Sequence, residues 1–129
     1  MTPAARIKAV LDILEKLAAS PVPMDATVGD YMRYRRYIGS KDRADIAERA
    51  YKIIRSHARL GWWLNKLGAA DTPRRRLIAH LMLQDGLSLN QLHKLFDGGK
   101  FSAEDLAPEE TEFAKSLEGK ALEAHDMDV

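Results

Sequence analysis

Residues 41–59, KDRADIAERAYKIIRSHAR, decide the fold class of this 129-residue chain because they divide into two faces at helical spacing. One side of a helical wheel is mostly apolar and holds Ala44, Ile46, Ala47, Ala50, Tyr51, Ile53, Ile54 and Ala58. An arc of about 120° on the other side holds Lys41, Arg49, Lys52, Arg55 and Arg59, with Arg43 displaced towards the apolar side. The stretch predicts an amphipathic helix with a basic outer face.

Apolar residues recur at helical spacing along most of the chain, and no long window keeps the alternation of a strand. Helix starts are predicted at Thr2-Pro3, Asp25, Ser40, Thr72-Pro73, Ser88 and Pro108. The second helix is predicted to run to Tyr37 with Gly39 as a left-handed C-cap, and the third to residue 59. We therefore expect an all-α bundle of about six to seven short helices.

The length and the apolar fraction of 46% are typical of one globular domain, which we assign to residues 1–122. The chain has no cysteine, which excludes disulfides, thiolate metal sites and a cysteine nucleophile. No secretory signal is present, and charges interrupt every apolar run before the roughly 20 residues that a membrane span needs. We expect a cytoplasmic protein without a membrane partner.

The net charge of +1 conceals an uneven distribution along the chain. Residues 1–80 carry 16 Lys and Arg against 8 Asp and Glu, whereas residues 81–129 carry 4 against 11. Such an asymmetry indicates a surface that faces a polyanion at the basic end.

Local signatures of catalysis are missing from the sequence. It contains no GxGxxG, GxxxxGK[ST], HExxH or GxSxG motif. The four histidines, His57, His80, His93 and His125, show no pairing at the spacing that places two ligands on one helical face. We predict no catalytic or metal-binding residue here, and interpret His80 as a hydrogen-bonded imidazole in the core.

The positive signal is a basic cluster of nine cations within residues 33–59, which contain only three acids. Tyrosines 31, 34 and 37 interleave with its first members, a composition that suits single-stranded or looped RNA. The alternative is a solvated helix face, because Asp45–Arg49 and Glu48–Lys52 have the spacing of ordinary helical ion pairs and Tyr31 and Tyr51 suit a core. The candidate RNA-binding residues are Arg33, Arg35, Arg36, Lys41, Arg43, Arg49, Lys52, Arg55 and Arg59.

Two further local features stand out in the sequence. Arg74-Arg75-Arg76 follows Pro73 at a helix start, where cations oppose the helix dipole, so a phosphate, an acidic partner or plain hydration must compensate. The pair Trp62-Trp63 is expected to pack into the core, with an exposed docking edge as the alternative.

Several stretches in this order resemble the N-terminal domain of the bacterial RsmB (Fmu/Sun) proteins. They are RYIGSKDR at residues 36–43, ADIAERAYKIIR at 44–55 and RLGWWL at 59–64, together with TPAAR at 2–6, TPR at 72–74 and LFDGGK at 95–100. The resemblance covers nearly the whole chain and implies an all-helical domain of the NusB type. That fold is also used by an antitermination factor that binds RNA.

RsmB-type proteins are S-adenosylmethionine-dependent methyltransferases that form 5-methylcytosine in 16S ribosomal RNA. The resemblance implies that S-adenosylmethionine belongs to a catalytic domain which this chain lacks, and that no cofactor binds here. Their mechanism uses two cysteines, so this cysteine-free chain cannot perform the reaction alone. Residues 123–129 are expected to be disordered or part of a truncated linker towards that domain.

Three hypotheses about function follow. The first is an RNA-recognition domain that positions ribosomal RNA for the methyltransferase domain. The second is a protein-docking module that packs on its own catalytic domain or on a ribosomal protein without touching RNA. The third is a free-standing antitermination-type factor.

Overall fold

A computed structural model describes residues 1–123, and this part of the chain folds into seven helices without a strand. The helices are α1 (Pro3–Ala19), α2 (Met24–Arg33), α3 (Ser40–Arg55), α4 (His57–Lys66), α5 (Pro73–Leu83), α6 (Leu89–Leu95) and α7 (Pro108–Leu117). The predicted all-α bundle of six to seven helices is confirmed. Of the tail predicted to be disordered or a linker, residues 124–129 lie outside the described residues.

Side-chain caps fix the starts of three helices where the sequence predicted them. The Thr2 hydroxyl accepts a hydrogen bond from the Ala5 amide of α1 at 3.1 Å. Ser88 and Gln91 form a reciprocal capping box at α6, in which each side chain accepts from the other residue's amide, at 2.8 and 3.2 Å. At α5 the Thr72 hydroxyl accepts from the third helical amide. These caps satisfy amides that have no partner inside the helix.

The second and third helices are shorter than predicted. Helix α2 ends at Arg33, so residues 34–39 form a loop, and Gly39 has a φ of −71° and begins α3 instead of closing α2 in a left-handed conformation. The Ile38 side chain of this loop is buried in the hydrophobic core. The Arg43 Nε donates to the Ile38 carbonyl at 2.6 Å. The predicted C-cap at Gly39 is wrong: α2 ends six residues earlier, and the burial of Ile38 in the core, which local periodicity does not show, sets the path of the chain.

Other helix boundaries were also misplaced. Helix α2 begins after Pro23, while Asp25, predicted to be its cap, accepts from the Tyr51 hydroxyl instead. Helix α3 ends at Arg55, and the chain turns at Ser56 into α4. Ser56 is buried and its hydroxyl accepts from the Gln84 amide group at 3.0 Å. A contact with the far end of α5 thus accompanies a break in what the sequence presents as one continuous helix.

The centre of the bundle is α5, in which every residue from Leu77 to Leu83 is buried. It packs against α1, α3, α4, α6 and α7. A helix that is apolar on nearly every side requires neighbours all round, and a fully buried Leu or Ile contributes about 1.5–3 kcal/mol each. No helix of the described part is long and apolar enough to cross a bilayer.

The two tryptophans have different roles. Trp63 is buried, and its indole Nε1 donates to the Leu122 carbonyl at 2.6 Å. Trp62 is half-buried and meets Trp63 edge-on, with ring centroids 5.1 Å apart. The prediction of core packing is therefore confirmed fully only for Trp63, which also ties the segment after α7 to the bundle.

Two adjacent isoleucines of α3 test this packing, since Ile53 is 1% exposed and Ile54 is 39% exposed. We expect Ile53→Ala to lower the free energy of unfolding by about 2–5 kcal/mol, because a cavity remains in the core. The matched variant Ile54→Ala should cost less than about 1 kcal/mol. Urea unfolding of both variants measures the difference, and equal losses would contradict this packing of α3.

Candidate nucleic-acid interface

The structure divides the nine predicted cations into three groups, of which the first is bound to protein groups. Arg43 donates to the carbonyls of Ile38 and Arg35, at 2.6 and 3.3 Å. Arg49 forms an ion pair with Asp85, 36 positions away. The guanidinium Nε of Arg59 lies 3.4 Å from the Glu123 carboxylate. Arg43 and Arg49 thereby hold the loop of residues 34–39 and the end of α5 to α3, whereas the exposed Arg59–Glu123 pair contributes little to stability.

The second group makes contacts within α2 and the loop that follows it. Arg33 pairs with Asp30 one helical turn earlier at 3.1 Å, with both side chains largely exposed. The guanidinium of Arg35 lies 3.7 Å from the centre of the Tyr31 ring and donates to the Tyr31 carbonyl at 3.2 Å. An exposed pair of the Arg33–Asp30 kind contributes little to stability, so Arg33 remains available to an anion.

The third group consists of exposed cations that have no ion-pair or hydrogen-bond partner within residues 1–123: Arg36, Lys41, Lys52 and Arg55. Arg36 lies in the loop of residues 34–39, and the other three lie on α3 within an arc of about 60°. That arc extends about 21 Å along the helix and also contains exposed Glu48. We call these four residues the free cations. They are the part of the predicted cluster that can bind phosphate without first losing a protein contact.

The helical ion pairs of the solvated-face alternative are absent from α3. Arg49 turns to Asp85 instead of Asp45, whose carboxylate lies 3.4 Å from the Nε of Arg6 in α1. Lys52, predicted to pair with Glu48, is one of the free cations.

Tyrosines 34 and 37 are 78% and 74% exposed, whereas Tyr31 is buried, as the core interpretation predicted. The Tyr31 hydroxyl donates to the Asp12 carboxylate at 3.1 Å, and burial together with the charge of Asp12 raises its pKa. Tyr51 is half-buried. The two exposed rings flank Arg36 on a loop that Ile38 and Arg43 anchor from below.

Buried His80 lies at the centre of a polar network beneath the basic face. Its Nε2 lies 2.9 Å from the Arg49 Nη1, a donor, so Nε2 accepts and the proton resides on Nδ1. That Nδ1 is 2.6 Å from the Gln84 side-chain oxygen, and Gln84 in turn donates to Ser56. Burial lowers the pKa of His80, with the positive charge of Arg49 acting in the same direction and Asp85 opposing it. The interpretation of His80 as a hydrogen-bonded core residue is confirmed.

Acidic residues of the protein itself compensate for two of the three arginines at the start of α5. Arg74 forms two hydrogen bonds of 2.9 Å with the buried carboxylate of Glu110 in α7. Burial would raise the pKa of Glu110, but the hydrogen bonds from Arg74 and the Ala107 amide hold it below its usual value. Arg76 binds Asp71 at 2.7 and 2.9 Å and lowers its pKa through that hydrogen bond.

One feature of the surface was missed by sequence reasoning. A cavity of about 560 Å³ lies between the start of α1, the loop of residues 34–39 and the loop before α7, with Tyr37 and Phe101 on its border. Phe101 is 71% exposed and follows Gly98-Gly99-Lys100. The only signal in the sequence is an aromatic residue in a glycine-rich turn. We call this cavity the Tyr37–Phe101 groove.

No group of His, Asp or Glu within residues 1–123 is arranged to hold a metal ion. Comparison with protein-family models, curated proteins and solved structures finds no match for this chain. The resemblance to RsmB-type N-terminal domains therefore stays a prediction that rests on the sequence motifs.

The buried imidazole predicts a pH dependence of stability. The ordinary histidine pKa is near 6.5 and that of His80 is lower in the folded protein, so the unfolded chain binds more protons between the two values. The free energy of unfolding should fall as the pH drops below about 6.5. Urea unfolding at several pH values measures this slope. His93→Gln, on the exposed face of α6, should retain it, and a wild-type stability that stays flat through this window would contradict it.

Proposed function

We propose that this chain is an RNA-recognition domain that positions ribosomal RNA for an S-adenosylmethionine-dependent cytosine-5 methyltransferase domain. The observation that carries the proposal is the set of free cations, two arginines and two lysines that are exposed and unpaired within the described residues. Phosphate contacts of this kind set the position and orientation of RNA without reading its bases. A catalytic domain that acts on RNA requires its substrate to be positioned and oriented in this way.

The two arginines that bind groups of the protein itself, Arg43 and Arg49, also support the proposal. Arg43 and Arg49 stabilise the loop of residues 34–39 and the contact between α3 and α5, and so keep the surface that carries the free cations in one shape. A surface that is ordered before it binds loses less conformational entropy when RNA arrives. Under this proposal Arg43 and Arg49 support the surface, and the free cations contact the RNA.

The methyltransferase part of the proposal depends on the resemblance in residues 2–6, 36–64, 72–74 and 95–100. The absence of cysteine agrees with a division of labour in which the thiol chemistry belongs to another domain. Under the proposal the partners are ribosomal RNA and the methyltransferase domain itself, with a ribosomal protein as a further candidate.

The test is the triple variant Arg36→Ala, Lys52→Ala and Arg55→Ala, measured by fluorescence anisotropy with a labelled single-stranded segment of ribosomal RNA. We expect the affinity to fall at least about tenfold at low salt, because three phosphate contacts are lost. The slope of log affinity against log salt should become shallower by about 2.

A second triple variant controls for net charge: Lys16→Ala, Lys94→Ala and Lys115→Ala. It also removes three positive charges, but from exposed positions on α1, α6 and α7. It should bind RNA within about twofold of the wild type, apart from a small long-range effect that salt screens. The proposal is wrong if the two triple variants bind RNA with equal affinity, or if the affinity of the wild type does not depend on salt. Either result favours the hypothesis of a protein-docking module.

A further inference from the structure

The Tyr37–Phe101 groove combines exposed aromatic rings with a positive charge. Its volume of about 560 Å³ falls in the usual range of small-ligand sites. Lys8, Arg35 and Lys100 line it against one carboxylate, Asp12. The Lys8 ammonium pairs with Asp12 at 2.8 Å, so two cations in the groove remain without a carboxylate partner. The groove therefore favours an anionic ligand that also has a flat apolar face.

Hydrogen bonds from backbone amides within the loop that carries Phe101 hold that loop in place. The Asp97 carboxylate accepts from the Gly99 amide at 2.9 Å, and the Gly98 amide donates to the Ala103 carbonyl at 3.0 Å. Gly98 has a φ of +70°, and a side chain there would also meet the Asp105 carboxylate at 3.2 Å. Ala103, just past the loop, is buried. An exposed ring on a loop held in this way contacts a ligand at a lower entropic cost than a ring on a mobile loop.

Cations stand close to the aromatic rings of this groove. The Lys100 ammonium lies 5.4 Å from the centre of the Phe101 ring, and Arg35 stacks at 3.7 Å on the buried Tyr31 that forms the floor. A phosphate bound by Lys100 or Arg35 would therefore lie within reach of the same nucleotide's base stacked on an exposed ring. Proteins that bind single-stranded nucleic acid combine these two elements, an aromatic platform and a nearby cation.

We propose that the groove binds one unpaired nucleotide of single-stranded RNA, with its base stacked on the exposed rings of Tyr37 and Phe101 and its phosphate bound by Lys100 and Arg35. The inference rests on the proposed function and identifies which RNA is recognised. A base inside a duplex is already stacked on its neighbours, so a paired segment cannot use the groove. An apolar peptide fits poorly, because it would leave two cations in the groove without a partner.

The test compares binding of a labelled unpaired RNA of about 12 nucleotides with binding of a blunt-ended duplex, without a loop, that contains the same bases. Tyr37→Ala and Phe101→Leu should each weaken binding of the unpaired RNA about tenfold, because stacking is lost. Neither variant should change binding of the duplex more than about twofold. Tyr37→Phe keeps the ring and should bind as the wild type does.

Tyr34→Ala is the matched control, since Tyr34 is 78% exposed in the same loop but does not line the groove; it borders the adjoining cavity, beside Val22 and Thr27. It should leave binding of the unpaired RNA within about twofold. If it weakens binding as much as Tyr37→Ala does, the groove is not the site. If Tyr37→Ala and Phe101→Leu bind normally while the loss of the free cations abolishes binding, the groove proposal is wrong and the proposed function stands. If no RNA binds in a salt-dependent way, both are wrong.

A second readout locates the base directly. RNA that carries 5-iodouridine crosslinks on irradiation to aromatic residues stacked against the modified base, and mass spectrometry identifies the peptide. We expect crosslinks to the peptides that contain Tyr37 and Phe101. Crosslinks confined to the peptides of Trp62 or Tyr34 would overturn the proposal.

Discussion

The burial of α5 from Leu77 to Leu83 organises the other helices of the bundle around it. Its residues 77–83 are all buried, and five other helices surround it. The polar and charged side chains at the two ends of this helix lie beside its neighbours, and protein groups there supply their partners. At its start Arg74 and Arg76 bind Glu110 and Asp71, and near its end His80 binds Arg49 and Gln84.

The contacts at the end of α5 involve an arginine of the basic cluster on α3. Arg49 is needed at the end of α5, where it lies beside His80 and pairs with Asp85, so it supports the bundle instead of facing solvent. Arg43 is used in the same way by the loop of residues 34–39. Arg43 and Arg49 are therefore structural, and the members of the cluster that have no partner within residues 1–123 are Arg36, Lys41, Lys52 and Arg55.

Under the proposed function, the free cations and the Tyr37–Phe101 groove recognise different features of an RNA. The free cations extend along α3 and supply contacts that any RNA backbone satisfies, whereas the Tyr37–Phe101 groove admits only a base that is out of its stack. Both surfaces meet at the loop of residues 34–39, which holds Arg36 and Tyr37 side by side. A looped RNA with a paired stem next to unpaired bases presents both elements together.

Caps and apolar periodicity act over a few residues, so the helical class and five helix starts could be predicted from the sequence: Thr2-Pro3, Ser40 to within one residue, Thr72-Pro73, Ser88 and Pro108. It also identified Tyr31 and His80 as core residues from their positions on a helical face. The ends of α2 and α3, the identity of the free arginines and the groove between Tyr37 and Phe101 became visible only in the folded chain. The ends of the two helices depend on the burial of Ile38 and Ser56 in the bundle. The free arginines and the groove depend on groups that lie far apart in sequence, as Arg49 and Asp85 do, and no local pattern records which of them will meet.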